Sequence, residues 1–312
     1  MKAVLYEKPG LAYRDVPLPV PGDDAVLVKI HAASLNALDS RMIGMKIVPK
    51  GKIMGADIAG RVEAAGRNVA AFGPGDAVMG DISGCGLGGL AEYVAVPASV
   101  LAAIPTGLSF ERAAALPVAA VTALQALRDR GGVRQGQKVL IHGAGGGVGT
   151  YAVQLARHFG AEVAAVCSAR NAELVRRLGA SQVIDYAREN FSRSTARYDL
   201  IVAINGKRPL RDYLRALAPR GVLVVVGGAL SQVFGAMLLG PFVSMGGKKV
   251  RLLSAKPNPA DLAFIAGLVQ DGRIEPAIDR TYPLEDTAEA FRYQSEGHAQ
   301  GKVVITVVPG EI

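Results

Sequence analysis

Short apolar runs separated by turn residues make up the first third of the chain. The stretches AVLYE, AVLVKIHAAS and LAEYVAVP are apolar or alternate between apolar and polar positions, as β-strands with buried faces do. Proline–glycine pairs at 9–10, 21–22 and 74–75 mark turns between such runs. The pattern therefore predicts a β-rich unit over residues 1–110.

After residue 110 the pattern changes to alternating helices and strands. The segment SFERAAALPVAAVTALQALRDRG has helical spacing, with Ser109 as the predicted N-cap and Gly131 as the predicted end. Beyond it, strands that are apolar throughout are separated by helical segments of about ten residues, as in a parallel sheet covered on both faces. The predicted strands are 138–144, 162–168, 181–185, 198–204, 222–226 and 249–255, and the first predicted helices between them are 147–160 and 171–179.

The last β-run, HAQGKVVITVVPG, follows a predicted helix in NPADLAFIAGLVQDG and has no helix after it. We expect it to pair with the N-terminal β-unit, so that a β-rich domain is interrupted by a dinucleotide-type α/β domain. The predicted boundaries are 1–120 for the first part of the β-rich domain, 121–256 for the α/β domain and 257–312 for the return. The predicted fold class is α/β, a doubly wound parallel sheet plus a β-rich catalytic domain.

Composition places the chain among globular proteins with an excess of basic charge. It has 312 residues, of which 50% are hydrophobic, and a net charge of +8. The basic residues form no block and no stripe interleaved with aromatic side chains, so an anionic small molecule fits the charge better than nucleic acid. The two cysteines give no disulfide framework, and without a leader segment after Met1 the expected location is the cytoplasm.

Residues 221–247 are apolar enough to resemble a membrane span, but glycines and Pro241 interrupt them. The favoured interpretation is a strand over 222–226 followed by a short apolar helix that packs on the core or on a second subunit. Residues 229–245 would then supply the interface of a homodimer. Attachment of this segment to a bilayer surface is the weaker alternative.

The glycine-rich stretch IHGAGGGVGT lies where a predicted strand ends and a predicted helix begins. Unpaired N–H groups and the positive end of the helix dipole make such a position a site for a pyrophosphate. Gly146 and Gly149 fill the second and third glycine positions of the G-x-G-x-x-G pattern, while Ala144 holds the first. Gly146 would let the main chain approach the phosphates, and Gly149 would let the helix pack close to the strand. The predicted contacts in this loop are Ala144, Gly146, Gly147, Val148 and Gly149.

The end of the second strand of this domain distinguishes between the two nicotinamide dinucleotides. A site that prefers NADH usually has Asp or Glu there, which binds the ribose 2′-hydroxyl. This chain has AVCSARN, so that Ser168 stands in the acidic position and Arg170 follows it. A hydroxyl and a guanidinium bind a 2′-phosphate that a carboxylate would repel. The sequence therefore predicts NADPH as the cofactor.

Several of these motifs resemble those of a known family. The segments GAGGGVGTYAVQLARHFGAEV, GADIAGRVEAAG, PGDAVMG and GKVVITV are similar to segments of the medium-chain dehydrogenase/reductase superfamily, and within it to the zinc-independent quinone oxidoreductases. The resemblance covers nearly the whole chain. It implies a GroES-like β-rich catalytic domain, a Rossmann domain with the cofactor in the cleft between the two, and a homodimer as a common assembly.

Zinc-dependent members of the family have Gly-His-Glu where this chain has Gly55, Ala56 and Asp57. Two cysteines cannot form the four-cysteine lobe of those members, and the four histidines show no ligand spacing. We therefore expect no metal. Without a Lewis acid, the favoured reaction is hydride addition to a quinone or to the β-carbon of an α,β-unsaturated carbonyl.

Donors for the substrate oxygen are expected in SLNALDSRMIG, which resembles an Asn-x-x-Asp segment of the quinone reductase relatives. Asn36 would donate to the substrate oxygen or to the nicotinamide ribose, or else form a turn and cap with Asp39. Arg41 would donate as well, but because it stays protonated, water would supply the proton. Further cofactor contacts predicted from position in the family fold are Thr122, Tyr186, Asn205 and Gly227.

Three functions stay open on the sequence. The first is an NADPH-dependent reductase of quinones, enones or enals. The second is a zinc-free alcohol dehydrogenase or a pathway-specific enoyl reductase with the same cofactor. The third is an NADPH-binding sensor or assembly protein with little turnover, which docks through residues 229–245. Two residues are given minor roles: Lys302 would hold the cofactor or cap a strand, and Cys85 would be inert packing.

Overall fold

The computed structural model describes residues 1–7, 10–45, 47–204, 208–227 and 247–308. The chain forms two compact units. The first comprises Met1–Val121, Pro257–Gly272 and Pro276–Ile312, and the second comprises Thr122–Lys256 and Arg273–Glu275. The second unit therefore includes three residues that the predicted boundaries assign to the first.

The described residues form sixteen strands, which are divided between the two units. They are β1 (Lys2–Glu7), β2 (Gly10–Asp15), β3 (Ala25–Ser34), β4 (Lys52–Ile53), β5 (Asp57–Ala65), β6 (Ala77–Asp81), β7 (Tyr93–Pro97), β8 (Leu101–Ala103), β9 (Lys138–His142), β10 (Glu162–Cys167), β11 (Gln182–Asp185), β12 (Tyr198–Ile204), β13 (Leu217–Val226), β14 (Lys249–Leu252), β15 (Ile278–Pro283) and β16 (Lys302–Thr306). The helices are α1 (Ala37–Gly44), α2 (Phe110–Ala114), α3 (Pro117–Leu124), α4 (Gly147–His158), α5 (Ala172–Arg177), α6 (Leu210–Ala216), α7 (Pro259–Gln270) and α8 (Thr287–Ser295).

The first unit is built on two sheets. The larger has the order β15-β16-β3-β5-β6-β8, with β7 also paired to β3, and the smaller has the order β2-β1-β4. The C-terminal strand β16 runs antiparallel to β3, with Val304 opposite Ser34, which confirms the predicted pairing of the last β-run with the N-terminal strands. Alternate residues of β3, such as Val26, Val28 and Ile30, enter one apolar core of this unit.

The second unit contains one parallel sheet of order β11-β10-β9-β12-β13-β14. Its first strand in the chain, β9, is central, and Val139, Leu140 and Ile141 of that strand are fully buried, as expected of a strand covered on both faces. The strand order reverses between β9 and β12, and in open α/β sheets ligands bind beside such a reversal, at the carboxyl ends of the strands. The predicted α/β class is confirmed.

Glycine permits a close contact between α4 and the loop after β9. A Cβ atom at Gly149 would collide with the carbonyl oxygen of Gly143 and with Ala144. Gly143 itself has a φ of +86°, and a Cβ there would lie 2.5 Å from the carbonyl oxygen of Ile204. By contrast, a Cβ at Gly146 would meet nothing closer than the Gly143 oxygen at 3.7 Å. The protein's own packing requires glycine at 143 and 149, but not at 146.

The side chain of Gln154 on α4 explains why Arg273–Glu275 belong to the second unit. Its Nε2 donates to the Glu275 carbonyl oxygen at 2.9 Å, and its Oε1 accepts from the Glu275 N–H at 2.8 Å. Gln154 is buried, so both amide atoms need partners inside the protein. The main chain at Glu275 supplies them.

The helix predicted between Ser109 and Gly131 is wrong as a single element. Ser109 does cap α2, because its Oγ accepts from the Arg112 N–H at 3.4 Å. Pro117 then has no N–H to continue the hydrogen bonds, so α2 ends at Ala114 and α3 begins at the proline. A π-helical turn, Gln125–Gly131, follows, and the chain leaves it through Gly132, whose φ is +63°. The last predicted strand of the sheet is also shorter, since β14 ends at Leu252.

Two predicted features lie outside the described residues: the apolar segment 229–245 and Asn205. The strand predicted over 222–226 is present as the end of β13. Within the described ranges, the structure contains no helix with the length and hydropathy needed to span a bilayer.

We expect Gly149→Ala to destabilise the protein much more than Gly146→Ala does. The new methyl group at 149 would force α4 away from Gly143, at a cost of about 1–3 kcal/mol or more, whereas the space at 146 accepts it. Urea unfolding of both variants beside the wild type measures the difference. Equal stability of the two variants would contradict the close contact.

Candidate functional site

The N-terminus of α4 is shaped to receive an anionic group. Its N-cap is Gly146, which has no side chain, and no side-chain cap satisfies the first turn. The first intrahelical hydrogen bond is donated by Thr150 to the Gly146 carbonyl oxygen at 2.9 Å, so the N–H groups of residues 147–149 precede it. Space for a Cβ at Gly146 lies directly before these donors. The residues present therefore fit a pyrophosphate.

The remaining loop residues hold the main chain of this cradle in place. The N–H groups of Gly143 and Ala144 both donate to the Val166 carbonyl oxygen of β10, at 3.1 Å each. Ala144 is fully buried, so its contribution to a ligand would be through the main chain. Val148, on the first turn of α4, is partly exposed.

The polar residues predicted to choose the cofactor lie beside this loop, at the end of β10. Ser168 follows the strand, and its Oγ accepts from the Asn171 side-chain amide at 3.3 Å. The same amide fills the space where a Cβ on Gly145 would be, so the loop and this corner are packed together. Arg170 is exposed.

Tyr186 joins the same corner from the next strand. Its N–H donates to the Cys167 carbonyl oxygen at 3.2 Å, and the residue is 52% exposed. The structure thus brings Ser168, Arg170 and Tyr186 to one corner. Of the other predicted cofactor contacts, Gly227 directly follows β13 with a φ of +64°, and Thr122 is buried on α3.

His142, the last residue of β9, is a neutral residue of the core. Burial, together with the positive charge of Arg208, lowers the pKa of His142 to about 4. Its Nδ1 lies 2.6 Å from the hydroxyl of Tyr213, and its ring packs against Phe191 and Tyr213. These contacts give His142 a structural role.

In the first unit, Asn36 combines a capping position with a fixed side chain. It precedes α1, and its N–H donates to Oδ2 of Asp39 at 2.9 Å, which agrees with the turn-and-cap interpretation. Its side-chain Nδ2 donates to Oδ2 of Asp57 at 2.8 Å, and its Oδ1 accepts from the Lys302 ammonium at 2.6 Å. The main-chain N–H of Asn36 takes part in the cap, and its carboxamide bridges Asp57 and Lys302.

Asp57 and Lys302 form a buried ion pair that the sequence analysis missed. Lys302 Nζ lies 3.1 Å from Asp57 Oδ2, and the two side chains are 2% and 0% exposed. Asp57 also accepts from the Ser34 hydroxyl at 2.7 Å and from the Val118 N–H at 2.9 Å, while Lys302 also donates to the Leu35 carbonyl oxygen at 3.0 Å. The available signal was a charged residue at the edge of an apolar run, in GADIAG and GKVVITV.

Asp39 is the least satisfied member of this region. It is fully buried, and its Oδ1 has no hydrogen-bond partner. Burial, and then the nearby charge of Asp57, raises the pKa of Asp39 to about 7, although the Asn36 N–H and the charge of Lys302 act in the other direction. Burial and the charge of Asp57 also raise the pKa of Asp81. Asp39 is therefore partly protonated near neutral pH.

The other two candidates of this unit, Arg41 and Cys85, are less buried. Arg41 lies on α1, one turn beyond the helix start, and is partly exposed. Cys85 is exposed, so the expected packing role is wrong. Partial desolvation of its thiol and the charge of Asp81 raise the pKa of Cys85, which favours the unreactive thiol. Across the described parts of the chain, no three His, Cys, Asp or Glu side chains are grouped so that they could hold a metal ion.

We expect the stability of the wild type to fall, relative to Asp39→Asn, as pH rises from 5 to 8. The folded pKa of Asp39 is about 7 and the unfolded value is 3.8, so its stabilising contribution is complete below 3.8 and is lost as pH passes 7. The difference should change by on the order of 2 kcal/mol in urea unfolding.

Asp15→Asn is the matched control for that experiment. Its hydrogen bond to Lys2 lowers the pKa of Asp15, so this carboxylate is ionised throughout the range from pH 5 to 8. A parallel change in stability for wild type and Asp39→Asn would contradict the assignment of a proton to Asp39.

Two family models match the chain, one in each half. The model described as "Alcohol dehydrogenase GroES-like domain" matches residues 22–106, and the model described as "Zinc-binding dehydrogenase" matches residues 178–305. The first match lies in the β-rich unit, so the predicted GroES-like and Rossmann arrangement is confirmed.

Curated relatives match over nearly the whole chain. A chloroplast envelope quinone oxidoreductase homolog of Arabidopsis thaliana is 34% identical, over 95% of this chain and 94% of its own length. A 2-methylene-furan-3-one reductase of Solanum lycopersicum is 35% identical, over 95% and 75%. The mitochondrial NAD(P)H oxidoreductase RTN4IP1 of Bos taurus is 33% identical, over 91% and 82%.

A solved structure agrees with these relatives. The quinone oxidoreductase from Coxiella burnetii superimposes with a TM-score of 0.88 at 30% identity, over 98% of this chain and 99% of that chain. The relatives and the fold together indicate an oxidoreductase that uses a nicotinamide cofactor. This chain belongs to the medium-chain dehydrogenase/reductase superfamily, in its quinone oxidoreductase-like branch.

Proposed function

We propose that this protein is an NADPH-dependent reductase that transfers hydride to a quinone or an α,β-unsaturated carbonyl without a catalytic metal. The observation that carries the cofactor choice is the corner after β10, where Ser168 and Arg170 stand in place of an acidic residue. The substrate class follows from the names of the relatives, one a quinone oxidoreductase homolog and another a reductase of a conjugated furanone.

Binding of the cofactor would fall to the second unit. The N–H groups at the start of α4 bind the pyrophosphate, since Gly146 leaves space in front of them. The Ser168 hydroxyl and the Arg170 guanidinium bind the 2′-phosphate, and Tyr186 flanks the adenosine. When bound, the cofactor supplies the hydride. Thr122, Asn205 and Gly227 stay predicted contacts of its nicotinamide half.

Stabilisation of the substrate would fall to the first unit. As hydride arrives, negative charge develops on the carbonyl or quinone oxygen, and a donor held in place lowers the energy of that state. Asn36 is proposed as this donor, because a buried amide with one N–H on Asp57 keeps a second N–H. Arg41 adds a positive charge on the same helix, and water supplies the proton that completes the reduction.

Metal independence is proposed from the donor types in this region. The Asn36 amide, the Asp57 carboxylate and the Lys302 ammonium are buried together. Because the ammonium already binds Oδ1 of Asn36 and Oδ2 of Asp57, it excludes a metal cation from these oxygen atoms. Homodimer formation through residues 229–245 and a cytoplasmic location stay predictions from the sequence.

We expect the wild type to oxidise NADPH in the presence of a small quinone or a 2-alkenal, and Asn36→Ala to lower kcat by roughly a hundredfold. Loss of one donor to a developing oxyanion has an effect of about this size. Stopped-flow absorbance at the reduced nicotinamide band measures both. NADPH that binds but stays unoxidised across a panel of quinones, enones and enals would favour the sensor function instead.

Arg170→Ala should weaken NADPH binding by roughly 10- to 100-fold and change NADH binding by less than about twofold. Only NADPH carries the 2′-phosphate, and hydrogen bonds between charged groups contribute about 1.5–3 kcal/mol. Calorimetric titration of both cofactors gives the two ratios. Arg177→Ala, which removes another exposed arginine of the same unit, is the control and should leave both affinities unchanged. An unaltered preference in Arg170→Ala would exclude this residue from the phosphate site.

A further inference from the structure

Two buried charges determine which way the Asn36 carboxamide faces. The Lys302 ammonium donates to its Oδ1 at 2.6 Å, and Asp57 Oδ2 accepts from its Nδ2 at 2.8 Å. An ammonium can only donate and an ionised carboxylate can only accept. A rotation of the carboxamide by 180° would place N–H against the ammonium and oxygen against the carboxylate. One orientation is therefore strongly preferred.

The two charges are themselves fixed by the main chain around them. Asp57 begins β5 and pairs in register with Ser34, whose hydroxyl also donates to Oδ2 of Asp57. The Val118 N–H occupies its other oxygen, and Lys302, at the start of β16, is held by the Leu35 carbonyl oxygen. Neither charge can shift without losing a buried hydrogen bond.

Stability alone is a weak reason for such a pair. Two ions taken out of water incur a desolvation cost that their attraction only partly offsets, and apolar replacements of buried pairs are often neutral or stabilising. Unlike an apolar pair, Lys302 and Asp57 fix the orientation of the Asn36 amide that lies between them. That direction matters only if the amide has a ligand.

We propose that Lys302 and Asp57 are positioning residues, which hold the Asn36 carboxamide so that its second N–H meets the substrate oxygen in one fixed direction. The proposal rests on the proposed function, in which Asn36 is the donor. A donor that is already oriented needs no reorganisation when charge develops on the oxygen, whereas a loosened donor must be ordered during the reaction. Lys302 and Asp57 would then affect kcat through Asn36 and would leave NADPH binding unchanged.

The test is a double-mutant cycle between Lys302→Met and Asn36→Ala. In the wild-type background, Lys302→Met should lower kcat by roughly tenfold or more and change KM for a small quinone by less than about threefold. In the Asn36→Ala background, the same change should have little further effect. Lys2→Met is the matched control, because Lys2 also binds a carboxylate, that of Asp15, but lies on the surface of the same unit. Its kcat should equal that of the wild type.

An equal loss of kcat in both backgrounds would overturn the proposal, because Lys302 would then act independently of Asn36. If Lys302→Met does not fold, the isosteric Asp57→Asn takes its place in the cycle, with the same expected and contrary results.

A spectroscopic measurement separates this proposal from the proposed function. With ¹⁵N-labelled asparagine, the Asn36 side-chain amide should show slow hydrogen exchange in the wild type and in Lys2→Met, and fast exchange in Lys302→Met or Asp57→Asn. If Asn36→Ala keeps full activity, the donor function fails, while slow exchange still supports a fixed carboxamide. Fast exchange in the wild type would overturn the positioning role whatever the kinetics show.

Discussion

The close contact between α4 and the loop after β9 determines what the second unit can bind. Because Gly149 has no side chain, the helix rests against Gly143 and Ala144, and it begins at the edge of the sheet where the strand order reverses. The donors of its first turn are therefore placed at the position where parallel sheets bind their ligands. The corner of Ser168 and Asn171 packs against the same loop, so the two parts of the proposed dinucleotide site are in direct contact.

The first unit holds two charged side chains, Asp57 and Lys302, in its apolar interior. Each oxygen of Asp57 has a donor, and Lys302 has three oxygen acceptors, so burial leaves neither charge without partners. Asn36 lies between them. Its main-chain N–H donates to Asp39 at the start of α1, and its carboxamide forms hydrogen bonds with both members of the ion pair. Asp39 is less well satisfied. Burial, and then the charge of Asp57, raises the pKa of Asp39 to about 7, so it is partly protonated near neutral pH.

Sequence patterns predicted the features that depend on near neighbours in the chain. The parallel strands, the glycine loop and the cap at Ser109 follow from local periodicity and residue type, and the structure contains them. The break at Pro117 also had a local signal, since proline lacks the N–H that a helix interior needs. Residue propensities gave no comparable signal for the π-helical turn that follows, Gln125–Gly131.

The ion pair could not be predicted in this way, because its members meet only through the sheet. Lys302 and Asn36 are 266 positions apart, and nothing near either residue in the sequence points to the other. An isolated lysine at the start of KVVITV is as compatible with an exposed strand end as with a buried ammonium. Only the antiparallel pairing of β16 with β3 decides between them.

That pairing has a consequence for how the protein is made. Strand β3 is synthesised well before β16, its neighbour in the finished sheet. Until β16 has been synthesised, the nascent β-rich unit has an open edge on β3, and Asp57 lacks the Lys302 ammonium. A chain truncated before Lys302 would therefore retain every residue of the glycine-rich loop after β9 but would lack the lysine that pairs with Asp57.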